Sequence, residues 1–269
     1  MRAAQMRLLQ TCGFLFIILT IVFISLAIIF AFRTPTTPTV WDRSQKVILL
    51  GFDGLGMDNI ASVDTPNLDA IMQQGVYAAV QIDPNSYSSG PNWAGMLTGH
   101  TTETSGISNN DCVKPAHETL FDMVPSAVFS QWSGIKCYSD NITRYYGDYQ
   151  RRNLNMTTIL DIMTGNESFV FLHVDILDHE SHTNGSSSPY YKAALTDLDS
   201  ILPHIQDFVN ENNATLIISA DHGSDQTGYG HSWGRVPIII YGKNAHTLRL
   251  ARSGRNRDVF SYIVQLLER

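Results

Sequence analysis

Residues 47–54 read VILLGFDG, an unbroken apolar run that ends abruptly in Asp53 and Gly54. A run with no polar face belongs to a strand covered on both sides, not to a half-exposed strand of alternating character. Two other runs end the same way: FVFLHV (169–174) meets Asp175 and Asp178, and TLIISA (215–220) meets Asp221, His222 and Gly223. Apolar stretches of strand length recur at 46–52, 76–82, 127–132, 168–174, 214–220 and 236–241, with helical patterns such as 65–74 and 189–209 between them. This alternation predicts an α/β fold, a mostly parallel central sheet between two helical layers. Ligands of such sheets sit at the carboxyl ends of the strands. An aspartate at one strand end is equally well a helix cap or a turn residue, whereas three strands ending alike point to chemistry.

The 269 residues are 43% hydrophobic, ample for one packed domain, and show no internal repeat. Only 16% are charged, which is unlike a disordered chain, and a net charge of -7 supplies no basic field for a phosphate backbone. Nucleic acid is therefore not expected as a partner. Three cysteines, none in a CxxC pair, exclude a disulfide scaffold and a zinc ribbon.

The stretch 13–32, GFLFIILTIVFISLAIIFAF, has twenty residues and no charge. At ~1.5 Å per residue it is long enough to cross the ~30 Å bilayer core. It predicts one transmembrane signal anchor after a short cytoplasmic N-terminus, residues 1–12. The alternative, a cleaved signal peptide, fits less well: its apolar region is typically about 7–15 residues, and no small-x-small site precedes Pro35 and Pro38. Flanking charges (Arg2 and Arg7 before; Arg33, Arg43 and Lys46 after) do not decide orientation. Five Asn-x-Ser/Thr sequons, at Asn141, Asn155, Asn166, Asn184 and Asn213, point to a glycoprotein with its domain outside the cytosol. Cys112 and Cys137 would either pair in that oxidising compartment or remain two buried thiols. The expectation is a single-pass type II membrane protein, with a Thr/Pro-rich linker at 33–45 and an extracellular or luminal catalytic domain at 46–269.

Asp178 and His182 lie four apart, near enough on a helix or tight loop to hold one ion. Asp221 and His222 adjoin at a strand end, and His231 follows in the glycine-rich run GSDQTGYGHSWG (223–234) that can fold it back over them. Oxygen and nitrogen donors without thiolate suit zinc first, and manganese or iron less well. Two such ions, about 3.5–4 Å apart, clamp the attacking and leaving oxygens in phosphoryl displacement. A nucleophile candidate, Ser89, stands in SSGPNW (88–93), where Pro91 suits the first turn of a helix and puts the serine just ahead of its anion-favouring N-terminus. A plain serine N-cap is the alternative.

Together these residues resemble the alkaline phosphatase superfamily, most closely its nucleotide pyrophosphatase/phosphodiesterase branch. The resemblance rests on VILLGFDGLGMDNI (47–60), TPNLDAIMQQGVYA (65–78), SGPNWAGMLTGHTTETSGI (89–107), DHESHTNG (178–185) and ISADHGSDQTGYGH (218–231). It implies that Asp53, Ser89, Asp221 and His222 surround one zinc ion, and that Asp178, His182 and His231 hold a second. It also implies that Asn92 hydrogen-bonds a phosphate oxygen, and that Ser89 attacks phosphorus in line to give a phosphoserine that water hydrolyses. The expected substrate is a phosphorylated small molecule, a nucleotide or another phosphodiester.

The chain departs from the branch in using Ser89 where threonine is usual, in Ser105-Gly106-Ile107 for His-Gly-Ile, and in the compact interval from His222 to His231. His173, His179 and His246 are substitutes should one ligand be misassigned. A phosphomonoesterase is the nearest alternative, but a monoester dianion benefits from a bidentate arginine. No arginine lies between Arg43 and Arg144, so Arg144 or Arg235 would have to arrive through the fold. A sulfatase would need x-Pro-x-Arg after the nucleophile, where Gly90-Pro91-Asn92-Trp93 stands. A non-catalytic ectodomain has no physical need for a serine beside two metal sites.

Overall fold

The computed structural model describes residues 41–42, 44–150, 154–251 and 253–268. The expected span at 13–32 lies outside the described residues; among the described residues, no helix is long and apolar enough to cross a membrane. The first half of the domain runs β1 (Val47–Phe52), α1 (Met57–Ile60), α2 (Pro66–Gln74), β2 (Val76–Val80), α3 (Ser89–Thr98), α4 (Thr102–Ser105), α5 (Leu120–Met123) and β3 (Ser126–Ser130). A 3-10 turn (Ser133–Tyr138) leads to β4 (Arg144–Gly147), α6 (Met156–Thr164), β5 (Phe169–Val174), α7 (Ile176–Asn184) and α8 (Pro189–Glu211). The chain then forms β6 (Thr215–Ser219), a small pair β7 (Gly223–Ser224) and β8 (His231–Ser232), β9 (Val236–Gly242), a 3-10 turn (Ala245–Thr247) and α9 (Asp258–Leu267).

Seven strands form one sheet in the order β2-β9-β6-β1-β5-β3-β4. From β6 to β4 the strands are parallel, while β9 runs antiparallel to both of its neighbours, β6 and β2. A parallel neighbour needs a crossover long enough to hold a helix. Residues 221–235 form the β7–β8 pair instead, so β9 returns in the opposite sense. Strands β1, β3, β5 and β6 are buried along their whole length, as their continuous apolar sequences require. The helices pack in two groups: α2, α6 and α7 gather on α8, which lies on β6, while α5 and α9 gather on α3, with α9 also against β1.

The long helix α8 starts where Ser188 accepts the Tyr191 N–H (3.2 Å) and Pro189 opens the first turn. Its buried Asp199 reaches across to α2, accepting the main-chain N–H groups of Asn67 (3.2 Å) and Leu68 (2.8 Å) that α2 cannot satisfy itself.

All six expected strands fall within two residues of their predicted bounds, the runs at 76–82 and 127–132 each stopping two residues early, at Val80 and Ser130. Strand β4 escapes prediction because it is an edge strand of half-buried and exposed residues, without a buried apolar run. Cys112 and Cys137 are bonded, tying the loop after α4 to the Ser133–Tyr138 turn, so the reading of two buried thiols does not hold.

Candidate active site

Because β1 lies between β6 and β5, the strand ends carrying Asp53, Asp221 and Asp175 arrive side by side, about 4.8 Å apart by strand spacing. Asp178 follows on the first turn of α7, and His182 stands one turn further along that helix. His231 is delivered by the β7–β8 pair, in which Ser224 sits opposite it. The glycine-rich run thus does what its composition allows and folds the histidine back onto the strand ends.

Two sets of donors result. Ser89 Oγ is 3.3 Å from Asp53 Oδ1 and 3.3 Å from His222 Nε2. His222 Nε2 is in turn 3.3 Å from Asp53 Oδ1 and 3.1 Å from Asp221 Oδ2. In the second set Asp178 Oδ1 is 3.4 Å from His182 Nε2 and 3.3 Å from His231 Nε2, and the two imidazole nitrogens are 2.9 Å apart. Tetrahedral zinc with bonds of roughly 2.0–2.1 Å has ligand-to-ligand edges of roughly 3.3 Å, the spacing of both sets. The sets adjoin, with His222 Nε2 3.9 Å from Asp178 Oδ1. Carboxylate oxygens of Asp53, Asp175 and Asp178 also converge.

The donor atoms fit a cation for a second reason. Asp221 Oδ2 and Asp178 Oδ1 are buried and make no hydrogen bond among the described residues. Buried carboxylate oxygens that face imidazole nitrogens yet make no hydrogen bond are costly, and a divalent ion removes that cost.

Neighbouring groups aim the ligands. His231 Nδ1 donates to the Tyr87 carbonyl (2.8 Å) and His222 Nδ1 to that of Gly223 (3.2 Å), which leaves both Nε2 lone pairs for a metal. Asp53 Oδ2 accepts from Trp93 Nε1 (3.1 Å) and pairs with His173 Nε2 (3.2 Å), so Oδ1 remains the coordinating oxygen. Gly51 makes this possible, since a Cβ there would lie 2.5 Å from the Trp93 ring. His173 therefore stands behind a ligand rather than among them. His246 follows antiparallel β9 and lies at the opposite end of the sheet, where Gly242 pairs with Thr215.

Charge in the cluster is strongly redistributed. Burial opposes ionisation of Asp53, but the His173 and His222 imidazoles outweigh it and hold this carboxyl well below the usual range. At Asp221 burial dominates, the Asp53 charge adds to it, and the carboxyl is pushed well above that range. Burial alone would lower His222; the Asp221 and Asp53 carboxylates overcome it and push the imidazole up to about 10. The protons retained here occupy the place of metal charge, so loading a metal must displace them.

Ser89 is the first residue of α3, with Ser88 as N-cap, one position further into the helix than the sequence suggested. Asn92 has a different task from the one its position implied. Its Nδ2 donates to the carbonyls of Ser86 (2.9 Å) and Ser88 (3.0 Å), while its Oδ1 accepts from the Asp83 N–H (3.1 Å) and Asn256 Nδ2 (2.9 Å). All four hydrogen-bonding positions of the amide are used within the protein. Asn256 also donates to the Asp221 carbonyl (3.1 Å), linking the start of the nucleophile helix to a ligand strand.

The residue that sequence reasoning passed over is Asn110. Its Oδ1 accepts the Gly90 N–H (2.8 Å), which brings its amide beside Ser89, and its NH2 makes no hydrogen bond among the described residues. The available signal was Gly90 itself. A Cβ there would lie 2.3 Å from the Asn109 carbonyl, so only glycine lets this loop close on the helix start. Tyr138 fixes the other side by donating to the Gly90 carbonyl (2.8 Å), next to the Cys112–Cys137 bond. Arg144 does not reach the site: at the β4 edge its Nε is 2.7 Å from Glu167 Oε1 and its NH2 group donates to the Ile162 carbonyl (2.7 Å).

A parallel sheet with paired donor sets and a serine at its carboxyl edge defines a class of metal-dependent enzyme, and the chain belongs to it: residues 45–268 match the metalloenzyme superfamily. Members of the nucleotide pyrophosphatase/phosphodiesterase branch are among its matches. It is 24% identical over 233 residues to human ectonucleotide pyrophosphatase/phosphodiesterase family member 5, covering 74% of this chain and 49% of the relative. With human family member 7 it is 25% identical over 218 residues, covering 66% and 48% respectively. The chain thus spans about half the length of these curated relatives. Among solved structures, an inactive murine family member 5 in complex with AMP superposes with a TM-score of 0.65 at 16% identity, covering 83% of this chain and 95% of that one. Alkaline phosphatase from the Antarctic bacterium TAB5 gives a TM-score of 0.59 at 14% identity over 85% and 98% of the two chains.

Proposed function

We propose that the domain is a zinc-dependent phosphodiesterase or nucleotide pyrophosphatase working through a phosphoserine at Ser89. The observation that carries this reading is Ser89 Oγ itself, held 3.3 Å from both Asp53 Oδ1 and His222 Nε2 at the first residue of a helix. Two divalent ions, one among Asp53, Ser89, Asp221 and His222 and one among Asp178, His182 and His231, would supply positive charge to the entering and leaving oxygens. The start of α3 favours the phosphate anion through its dipole, although the Gly90 N–H is taken by Asn110 and Pro91 has none to offer. The Asn110 amide beside Gly90 is placed to donate to a phosphate oxygen. Ser89 Oγ forms a bond to phosphorus as the leaving oxygen departs, and water then releases the phosphoryl group and restores the hydroxyl. A monoester would present a further charge, and Arg144, committed to Glu167, does not meet it. The names of the matched relatives and the AMP-bound neighbour support a phosphorylated small molecule as substrate.

The reading extends to location: a single-pass type II protein anchored by residues 13–32, with the domain outside the cytosol. The Cys112–Cys137 bond supports it, because such bonds persist in oxidising compartments.

The test uses the full chain in detergent, with metal analysis and turnover of synthetic phosphodiesters, phosphomonoesters and sulfate esters. Ser89→Ala should keep its metal while phosphodiester turnover falls by at least ~10³, about 4 kcal/mol. Ser86→Ala and Ser88→Ala serve as controls. Near-normal turnover by Ser89→Ala would refute the covalent mechanism.

A further inference from the structure

The rim beside His231 carries two aromatic rings with no part in the chemistry above. Tyr87, two residues before Ser89, is 46% exposed, and Trp233, two residues after His231, is 49% exposed. Their rings meet edge to face, with centroids 4.9 Å apart and planes at 88°. The Tyr87 ring also stands edge-on to His231 at 5.9 Å. A line of three rings therefore runs from a candidate ligand to solvent. The backbone beneath them is fixed: the Tyr87 carbonyl accepts from His231 Nδ1 (2.8 Å), and Ser232 is paired with Gly223 in the β7–β8 ladder. Large rings left half in water forgo about 25 cal/mol for each Å² of apolar surface they could have buried, and an edge-to-face pair keeps ring surface open to a third ring.

The position of the rim assigns its role, on the phosphodiesterase reading above. Ser89 belongs to the donor set of Asp53, Asp221 and His222, and His231 to the other set. In an in-line displacement the entering and leaving oxygens lie on opposite sides of phosphorus, so the group next to His231 is the leaving alcohol. We infer that Tyr87 and Trp233 form a leaving-group subsite that takes a planar aromatic alcohol from a phosphodiester. The bond from phosphorus to Ser89 Oγ forms as the bond from phosphorus to the aryl oxygen breaks, and the serine proton ends on the departing oxygen through solvent. Residues 86–93 and 223–234, which carry the pair, include no lysine or arginine, so they offer ring surface to this group rather than charge.

Two measurements on the zinc-loaded full chain test this. In the first, kcat/KM is compared for methyl phosphodiesters of 4-nitrophenol and of trifluoroethanol. The aryl-to-alkyl ratio should fall about tenfold in Trp233→Ala and in Tyr87→Ala and recover in Trp233→Phe, the size expected of an aromatic contact. In the second, Ser89→Ala, which cannot turn over, is titrated with methyl 4-methylumbelliferyl phosphate by fluorescence anisotropy; adding Trp233→Ala should weaken binding about tenfold. An unchanged ratio and unchanged binding would overturn the subsite, as would pyrophosphates outcompeting the aryl diester in wild type. Tight aryl binding that depends on Trp233 but is accompanied by no diester turnover would uphold the subsite and count against the phosphodiesterase reading alone.

Discussion

Replacing Asn92 by alanine separates two roles for that side chain. If it contacts phosphate, the variant folds normally and loses activity; if it holds the scaffold, the fold weakens first. The structure favours the second role. Alanine leaves the buried Asp83 N–H and the Ser86 carbonyl without their Asn92 partners, and removes one bond each from Asn256 and the Ser88 carbonyl. Two stranded main-chain groups at about 1–3 kcal/mol each, partly relieved by water, give a loss of roughly 3–4 kcal/mol. At about 2–4 °C per kcal/mol for a domain of this size, Tm should fall by roughly 10 °C. Because Asn256 carries the same link on to Asp221, Asn256→Ala should also destabilise, and the pair should couple by about 0.5–3 kcal/mol in a double-mutant cycle. The assay is thermal unfolding of the metal-loaded protein, together with kcat/KM well below the variant's Tm. A Tm within about 2 °C of wild type alongside a ~10³ loss of kcat/KM would refute the scaffold role and return Asn92 to the substrate.

The pair at the β4 edge makes a pH prediction. Burial raises the Glu167 carboxyl, but the Arg144 hydrogen bond, a main-chain hydrogen bond and the Arg144 and Lys46 charges together outweigh it, so the folded value lies below the usual one. A depressed carboxyl contributes stability above its unfolded pKa, about 4.3, and loses it as pH falls through the folded value. Glu167→Gln should therefore lower Tm at neutral pH and flatten its fall below about pH 4.3; a mutant Tm curve parallel to wild type would refute the linkage. For the anchor, protease added to sealed microsomes should spare the domain, and non-reducing peptide mapping should recover Cys112 joined to Cys137. Digestion from the cytosolic side would overturn the orientation, and an N-terminus beginning after residue 32 would make the protein secreted.

The sequence by itself determined the parts of this protein that depend on local order. Unbroken apolar runs ending in aspartate place strands and their polar ends, because a strand buried on both faces has few other sequences open to it. The spacing of Asp178 and His182, and the glycine-rich approach to His231, are likewise local, and both sets of candidate ligands were legible from them. Tertiary structure alone decided what depends on contacts distant in the chain. Only the sheet order brings Asp53, Asp178 and Asp221 together, and only the antiparallel return of β9 carries His246 to the other end of the sheet. Asn92 reads as a ligand group by position, yet its amide is consumed by partners as far away as Asn256, while Asn110 reaches Gly90 from twenty residues off. A short polar side chain carries no record in its neighbours of which distant donor or acceptor will reach it. Sequence can therefore nominate residues of the right chemistry, but the closure of the fold determines which of them remain free to act.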